Sequence, residues 1–371
     1  MDKKIKVFGA ALDPLDDPMK VLAKCSYINR LAQNLIEPER SFLDPYEGFL
    51  KFSKILKKEE IIKIGKFPID TWLTPKPKIE DFPLLDPFKY QEFVNSGAVR
   101  NITINLGKYI NEKILPDIPL MIGVDHSLTG GVLYSLSQKY GKDNILVVIF
   151  DAHFDGIPAS ISLNLTKYMK EHQKEVHVLV PELLESMEVE NISIKNSYSC
   201  ASFLDYLIED KIISPENLII FGVQDYPDKE LLSMEDSRVK DYVNYYSSFE
   251  EKGVKIIPAE KNSDYMIEEL KKSLNGHDVP NIYISFDVDV GVFKEILAAR
   301  FMNVIGIEKK QILKAAKAIK EFMVSKHCEL IGLDFLEIDT YIFGRELKKS
   351  GKKDMTPEVI DEFLKIILNY F

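Results

Sequence analysis

The stretch ILVVIFDAHFDGIP, residues 145–158, decides the fold. Six apolar residues, Ile145 to Phe150, run straight into Asp151, His153 and Asp155. A short, uninterrupted apolar run rich in β-branched residues is the pattern of a parallel strand buried on both faces. Other runs share it: IKVFGAAL (5–12), IPLMIGVD (118–125), EVHVLV (175–180), NLIIFGV (217–223), VKIIPAE (254–260), NIYISFDVDV (281–290) and ELIGLDFLEI (329–338). Helical patterns lie between them. TGGVLYSLSQKYG (129–141) and DYMIEELKKSLNG (264–276) each stop at a glycine, and EKKQILKAAKAIKEFM (308–323) is amphipathic. Strands alternating with helices predict right-handed βαβ units and one doubly wound sheet.

The rest of the chain narrows the function classes. The formal net charge is −10, so no basic footprint for nucleic acid or an anionic membrane is expected. No apolar segment approaches the length of a membrane span. MDKKIKVFGAALDP reads as a first strand and not a signal peptide. Cys25, Cys200 and Cys328 are far apart and odd in number, which fits a reducing cytoplasm better than a disulfide framework. Residues 36–92, including PIDTWLTPKPKIEDFPLLDPF (68–88), are expected to be an irregular, proline- and aromatic-rich decoration on a single domain spanning 1–371. Trp72 and its prolines are read as packing.

In open α/β sheets, ligands sit at the carboxyl ends of strands. Here those ends collect acids and imidazoles: Asp125 and His126; Asp151, His153 and Asp155; Asp287 and Asp289; Asp334, Glu337 and Asp339. On an extended segment alternate residues point the same way, so D-x-H-x-D is expected to aim three ligands at one point, and D-x-D two. Four carboxylates in one dry place need compensation by cations. Carboxylates with imidazoles and no thiolate favour Mn²⁺, with iron, cobalt or nickel as alternatives, over structural zinc. Six ligands suit a pair of metals, about 3.5–4 Å apart in sites of that kind.

GVDHS (123–127), DAHFD (151–155) and SFDVD (285–289), in this order and with a late strand ending in glutamate, resemble the three signatures of the ureohydrolase family: arginase, agmatinase, formiminoglutamase and their relatives. The resemblance spans residues 118 to 340. It implies an arginase-like, three-layer α/β/α fold around a mainly parallel eight-stranded sheet, and two manganese ions per chain. His126 and Asp155 would bind the first ion, His153 and Asp289 the second, and Asp151 and Asp287 would bridge both. A metal-bridging hydroxide would be the nucleophile, releasing urea and an amine. Glu337 aligns with the glutamate that pairs with the substrate guanidinium, and Asp125 would orient His126. The relatives are often homo-oligomers.

The chain also departs from the family. GVDHS stands for the usual GGDHS, and the aspartate–proline that follows the D-x-D pair is missing from DVDVGVFKEILAARF (287–301). GIPASISLNLTKYMKEH (156–172) lacks the proton-shuttle histidine; His172 or His177 would serve only if the loop folds back, and Ser160, Ser162 and Asn164 are weak substrate contacts. The resemblance thus implies an intact metal centre and a rebuilt pocket, for a small guanidino or amidino compound or a peptidyl arginine. The rival readings are a single-zinc deacetylase-type amidohydrolase, a hydrolase of a non-guanidine amide, and a metal-binding regulatory pseudoenzyme. Asp334 and Asp339 are read as helix-cap or turn residues, Cys200 as a small buried hydrophobe, and His277 and His327 as loop residues.

Overall fold

Apolar runs with no polar break have to be covered on both sides, and the computed structural model of the chain shows how. It describes residues 3–15, 18–35, 44–173, 196–260, 263–291, 295–301, 306–347 and 351–368. The strands are β1 (Ile5–Ala10), β2 (Ile61–Lys66), β3 (Ile118–Gly123), β4 (Ile145–Phe150), β5 (Leu218–Val223), β6 (Lys255–Pro258), β7 (Asn281–Asp287) and β8 (Glu329–Leu336). They form one eight-stranded sheet in the order β2-β1-β3-β8-β7-β4-β5-β6. Every pairing in it is parallel. Among the described residues no helix is long and apolar enough to cross a membrane.

Alternation along each strand feeds two separate cores. Leu146, Val148 and Phe150 of β4 join Phe286, Phe335 and Phe363 in one core, with residues of the helices Ser263–Asn275, Lys309–Ser325 and Thr356–Ile367. Ile145, Val147 and Ile149 join the other, with residues of the helices Ala98–Lys113, Thr129–Tyr140 and Ser237–Glu251. Helices therefore cover both faces, and β4, β5 and β7 are buried at every position. This is the three-layer α/β/α arrangement that the apolar runs predict.

One expectation needs correction. The segment 36–92 is not merely an irregular attachment: it supplies the edge strand β2, which pairs with β1, and the helices Pro45–Phe52 and Pro87–Asn95. An edge strand is half solvated, so IIKIGK carries Lys63, Lys66 and a left-handed Gly65 (φ 100°) in place of a continuous apolar run. Trp72 does pack, its ring 5.1 Å from Tyr90 and 5.3 Å from Phe93. The run 175–180 lies outside the described residues.

The four strands that end in acids, β3, β8, β7 and β4, are consecutive in the sheet. Their register sets the ends level. Phe150 pairs with Phe286, so Asp151 and Asp287 follow one step on; Asp287 pairs with Leu336, just before Glu337. Beneath them lies an aromatic floor: Phe150 stacks on Phe286 at 5.3 Å, and Phe363 meets both edge-on at 5.4 and 5.1 Å.

The close approach of β1, β3 and β8 depends on Gly123. A Cβ there would lie 2.6 Å from the Ala10 carbonyl oxygen and 2.6 Å from Leu336 Cδ2. Gly123→Ala is expected to destabilise the protein by about 1–3 kcal/mol, the usual cost of overpacking. The urea midpoint checks this; an unchanged midpoint would mean that β1 and β3 part there freely.

Candidate metal centre

Two groups of ligand atoms converge at the strand ends. His126, Asp151, Asp155 and Asp287 bring one ligand atom each within 4.8 Å of one another, and Asp151, His153 and Asp289 form a second such group. Asp151 belongs to both, and Asp287 joins the first. All six residues expected as ligands are therefore brought together, but not by simple alternation. Residues 151–155 are irregular, with bends at 152, 153 and 155, not strand, and Asp155 sits in the left-handed region at φ 53°. His153 consequently leaves Asp155 and meets Asp289, with Nδ1 and Oδ2 2.8 Å apart. Asp289 lies in the 3₁₀ turn Val288–Val290, and its N–H donates to Asp287 Oδ1 at 2.8 Å. The Ala152 N–H donates to Asp289 Oδ1 at 3.1 Å, locking the ends of β4 and β7 together.

His126 shows what the first group is built for. It is fully buried, and its Nδ1 lies 2.8 Å from Asp155 Oδ2, 3.0 Å from Asp151 Oδ2 and 3.3 Å from Asp287 Oδ2. The other ring nitrogen, Nε2, is 2.9 Å from Ser285 Oγ. Ser285 spends its own proton on Asp334 Oδ1 at 2.7 Å, so it accepts from His126. That assigns the imidazole proton to Nε2 and leaves the Nδ1 lone pair facing three carboxylates. Lone pair against carboxylate repels unless a positive charge sits between them, either a proton or a metal ion.

The electrostatics agree. Burial alone would lower the His126 pKa, but Asp151 and Asp155 hold it well above its ordinary value. His153 is raised in the same way by Asp289, which overcomes burial. Burial, then repulsion from Asp155 and Asp289, lifts Asp151 well above the carboxylate range; burial, then Asp289 and Asp151, does the same to Asp287. For Asp289, burial is outweighed by His153 and the pKa falls. Apart from the Nδ1 atoms of His126 and His153, buried Asp151 Oδ2 and Asp289 Oδ2 have no hydrogen-bond partner among the described residues. Four carboxylates and two imidazoles match two divalent cations in charge and donor type.

The residues around the ligands differ in part from expectation. Asp334 is not a cap or turn residue: it is fully buried and accepts from Thr129 (2.8 Å), Ser285 and Tyr283. Through Ser285 it orients His126, the task expected of Asp125. Asp125 instead closes the turn after β3, accepting from the Ser127 N–H at 3.1 Å and from the Ser127 hydroxyl. Asp339 is a turn residue, accepting from the Tyr341 N–H at 2.7 Å. Cys200 Sγ comes within 4.8 Å of ligand atoms of both Asp125 and Glu337. Asp225, just past β5, was not among the expected residues. Burial pushes its carboxyl up to about 6 while the His153 charge pulls it down. Extending the strand-end rule past Val223 to Gln224 and Asp225 finds it.

Glu337 is buried and left-handed at φ 56°. Its N–H donates to Val124 O at 3.0 Å, and its Oε1 accepts from the His126 N–H at 3.1 Å. Burial pushes its pKa up to about 8 against the pull of Arg300. His172 stacks on Tyr168 at 4.3 Å, with Nδ1 3.0 Å from the Tyr168 carbonyl oxygen, and is not in either ligand group. His177 lies outside the described residues. Ser160, Ser162 and Asn164 lie on the helix Ala159–Glu171.

Comparison with known proteins sets this geometry in context. The model of the arginase family matches residues 49–342. An arginase of Staphylococcus aureus (strain MRSA252) is 24% identical over 196 residues, 53% of this chain and 53% of that protein. The matched region thus spans about half the length of the curated relatives. Among solved structures, arginase from Bacillus subtilis superposes with a TM-score of 0.55 at 17% identity, covering 100% of this chain and 99% of that one. Formimidoylglutamase from Bacillus subtilis (subsp. subtilis str. 168) gives 0.51 at 17% identity, covering 100% and 87%. At such identities the structural likeness establishes the fold.

Two outcomes follow from the geometry. Ser285→Ala removes the acceptor for His126 Nε2–H, and metal affinity is expected to fall about 10–100-fold with the fold intact. Unchanged affinity by calorimetry would mean that another group fixes the ring. The second outcome concerns protons. Groups whose pKa is raised carry their proton up to that higher pH, and His126, His153, Asp151 and Asp287 are all raised. Metal requires the deprotonated forms, so Mn²⁺ binding should expel protons and tighten as pH rises through neutrality. A binding enthalpy independent of the buffer's ionisation enthalpy would contradict this.

Proposed function

The chain belongs to the arginase family, and from that premise we propose that it is a hydrolase holding two divalent ions, manganese first among them, that cleaves a linear C–N bond of a guanidino or amidino compound. The observation that carries the reading is His126 Nδ1 turned toward three buried carboxylates. His126 and Asp155 would hold the first ion, His153 and Asp289 the second, and Asp151 and Asp287 both. When bound, such ions supply Lewis acidity and bring the pKa of water towards neutrality.

The chain's own residues do the rest. Asp334 and Ser285 keep the His126 proton on Nε2, so that Nδ1 stays a ligand. The Ala152 and Asp289 N–H groups fix the second set of carboxylates. Glu337, at the same level as Asp151 and Asp287 and bonded to the His126 main chain, is the carboxylate facing the substrate's amidine N–H groups. Its left-handed backbone, costly for a residue with a side chain, holds the carboxylate beside His126 where an extended conformation would carry it away. Products would be urea, or the corresponding amide, and an amine.

The experiment is release of urea or ammonia by manganese-loaded protein from agmatine, arginine, other guanidino acids, small amidines and arginine-containing peptides. Turnover of one of them is expected. Full metal loading with no turnover would shift the reading to a metal-binding pseudoenzyme. Glu337→Gln is expected to keep its metals and lose at least about 100-fold in kcat/KM, the scale of one lost electrostatic contact in a transition state. Normal kinetics in that variant would remove Glu337 from the substrate-facing role.

A further inference from the structure

Glu337 meets the chain at both carboxylate oxygens, Oε1 through a hydrogen bond and Oε2 through an ion-pair contact that makes no hydrogen bond among the described residues. Oε1 takes the His126 N–H at 3.1 Å, and Oε2 lies 3.4 Å from Arg300 Nη1. The Arg300 side chain is only 6% exposed. Its Nη2 pairs with Asp13, and Nη1 is 3.4 Å from Val124 O. Asp13 in turn is 3.3 Å from Lys24 Nζ, which also donates to the Asp13 carbonyl oxygen at 2.7 Å. Lys24, Asp13, Arg300 and Glu337 thus form a buried chain of alternating basic and acidic groups.

The main chain holds Arg300 in place. The Arg300 N–H donates to Glu337 O at 2.9 Å, Ala299 and Ile338 form an antiparallel bridge, and the Asp339 N–H donates to Ala298 O at 2.9 Å. Asp354 steadies the approach, accepting from the Leu297 and Ala298 N–H groups at 2.9 and 3.2 Å. Arg300 is therefore registered against Glu337 by backbone and side chain together.

A carboxylate recognises a guanidinium through a planar fork of parallel N–H···O bonds. At Glu337 an internal guanidinium already stands on one oxygen and a backbone N–H on the other. We propose that Arg300 is a specificity-determining residue: it fills the guanidinium berth at Glu337 from inside, so that the metal centre accepts amidines that offer Glu337 a single N–H and rejects guanidinium-headed compounds. The assignment rests on the hydrolase reading above for its meaning, but the berth itself can be tested apart from turnover.

The test is calorimetric titration of guanidinium chloride, against sodium chloride at matched ionic strength, into the metal-loaded full chain. The proteins are the wild type, Arg300→Ala and the charge-balanced Asp13→Asn/Arg300→Ala, which carries the test should the single variant not fold. Both variants are expected to bind one guanidinium per chain at least about tenfold more tightly than the wild type. They should also lower KM for agmatine more than they change kcat, which a clamp that merely holds Glu337 in place would not do. Equal affinity in all proteins, or no binding to either variant, would overturn the proposal. Fast hydrolysis of agmatine or arginine by the wild type would also sink it, while leaving the hydrolase reading standing. A chain that turns over nothing, yet binds guanidinium only when Arg300 is removed, would do the reverse.

Discussion

Nδ1 of His126 faces three carboxylate oxygens in a largely buried place, and this is the contact that the rest of the structure has to accommodate. Such a cluster is unstable on its own account: burial and mutual repulsion both favour protonated acids. It persists because the strand ends that present it are held from below. Phe150, Phe286 and Phe335 continue the same strands into a dry aromatic layer, and Phe363 closes that layer against the helix Thr356–Ile367. The sheet thus fixes the acids in space, and their chemistry then calls for cations.

The surroundings divide the work by charge. Near the ligands, neutral hydroxyls of Thr129, Ser285 and Tyr283 satisfy Asp334 without adding positive charge that would compete with a metal. Farther along the same edge, Glu337 and Asp13 are balanced by Arg300 and Lys24. Burial would raise the Asp13 pKa, yet Arg300 and Lys24 hold it below the usual range. Two buried acidic regions therefore lie side by side: one paired with basic groups of the chain itself, the other a candidate site for cations.

Much of this was legible in the sequence, and the limits have physical causes. The buried strands β4, β5 and β7 show as unbroken apolar runs because both faces are covered. β2 did not show, because an edge strand has one solvated side and no such run. The six candidate ligands were legible from residue type and position at strand ends, but alternation on an extended segment is not how they converge. The turn at Asp155, with positive φ, sends His153 to Asp289. Asp334 looked like a turn residue because its partners, Thr129, Tyr283 and Ser285, are brought to it only by the parallel register of β7 and β8 and the helix after β3. Arg300 was invisible for the same reason: its pairing with Glu337 depends on an antiparallel bridge between loops, which no local pattern announces.

The central claim is that the buried acids form one site for two cations. Native mass spectrometry of manganese-loaded protein tests it most directly, read beside Asp151→Ala. The account predicts two divalent ions per wild-type chain, and loss of both when the shared ligand Asp151 is removed. A single ion in the wild type, or two ions retained by Asp151→Ala, would contradict it.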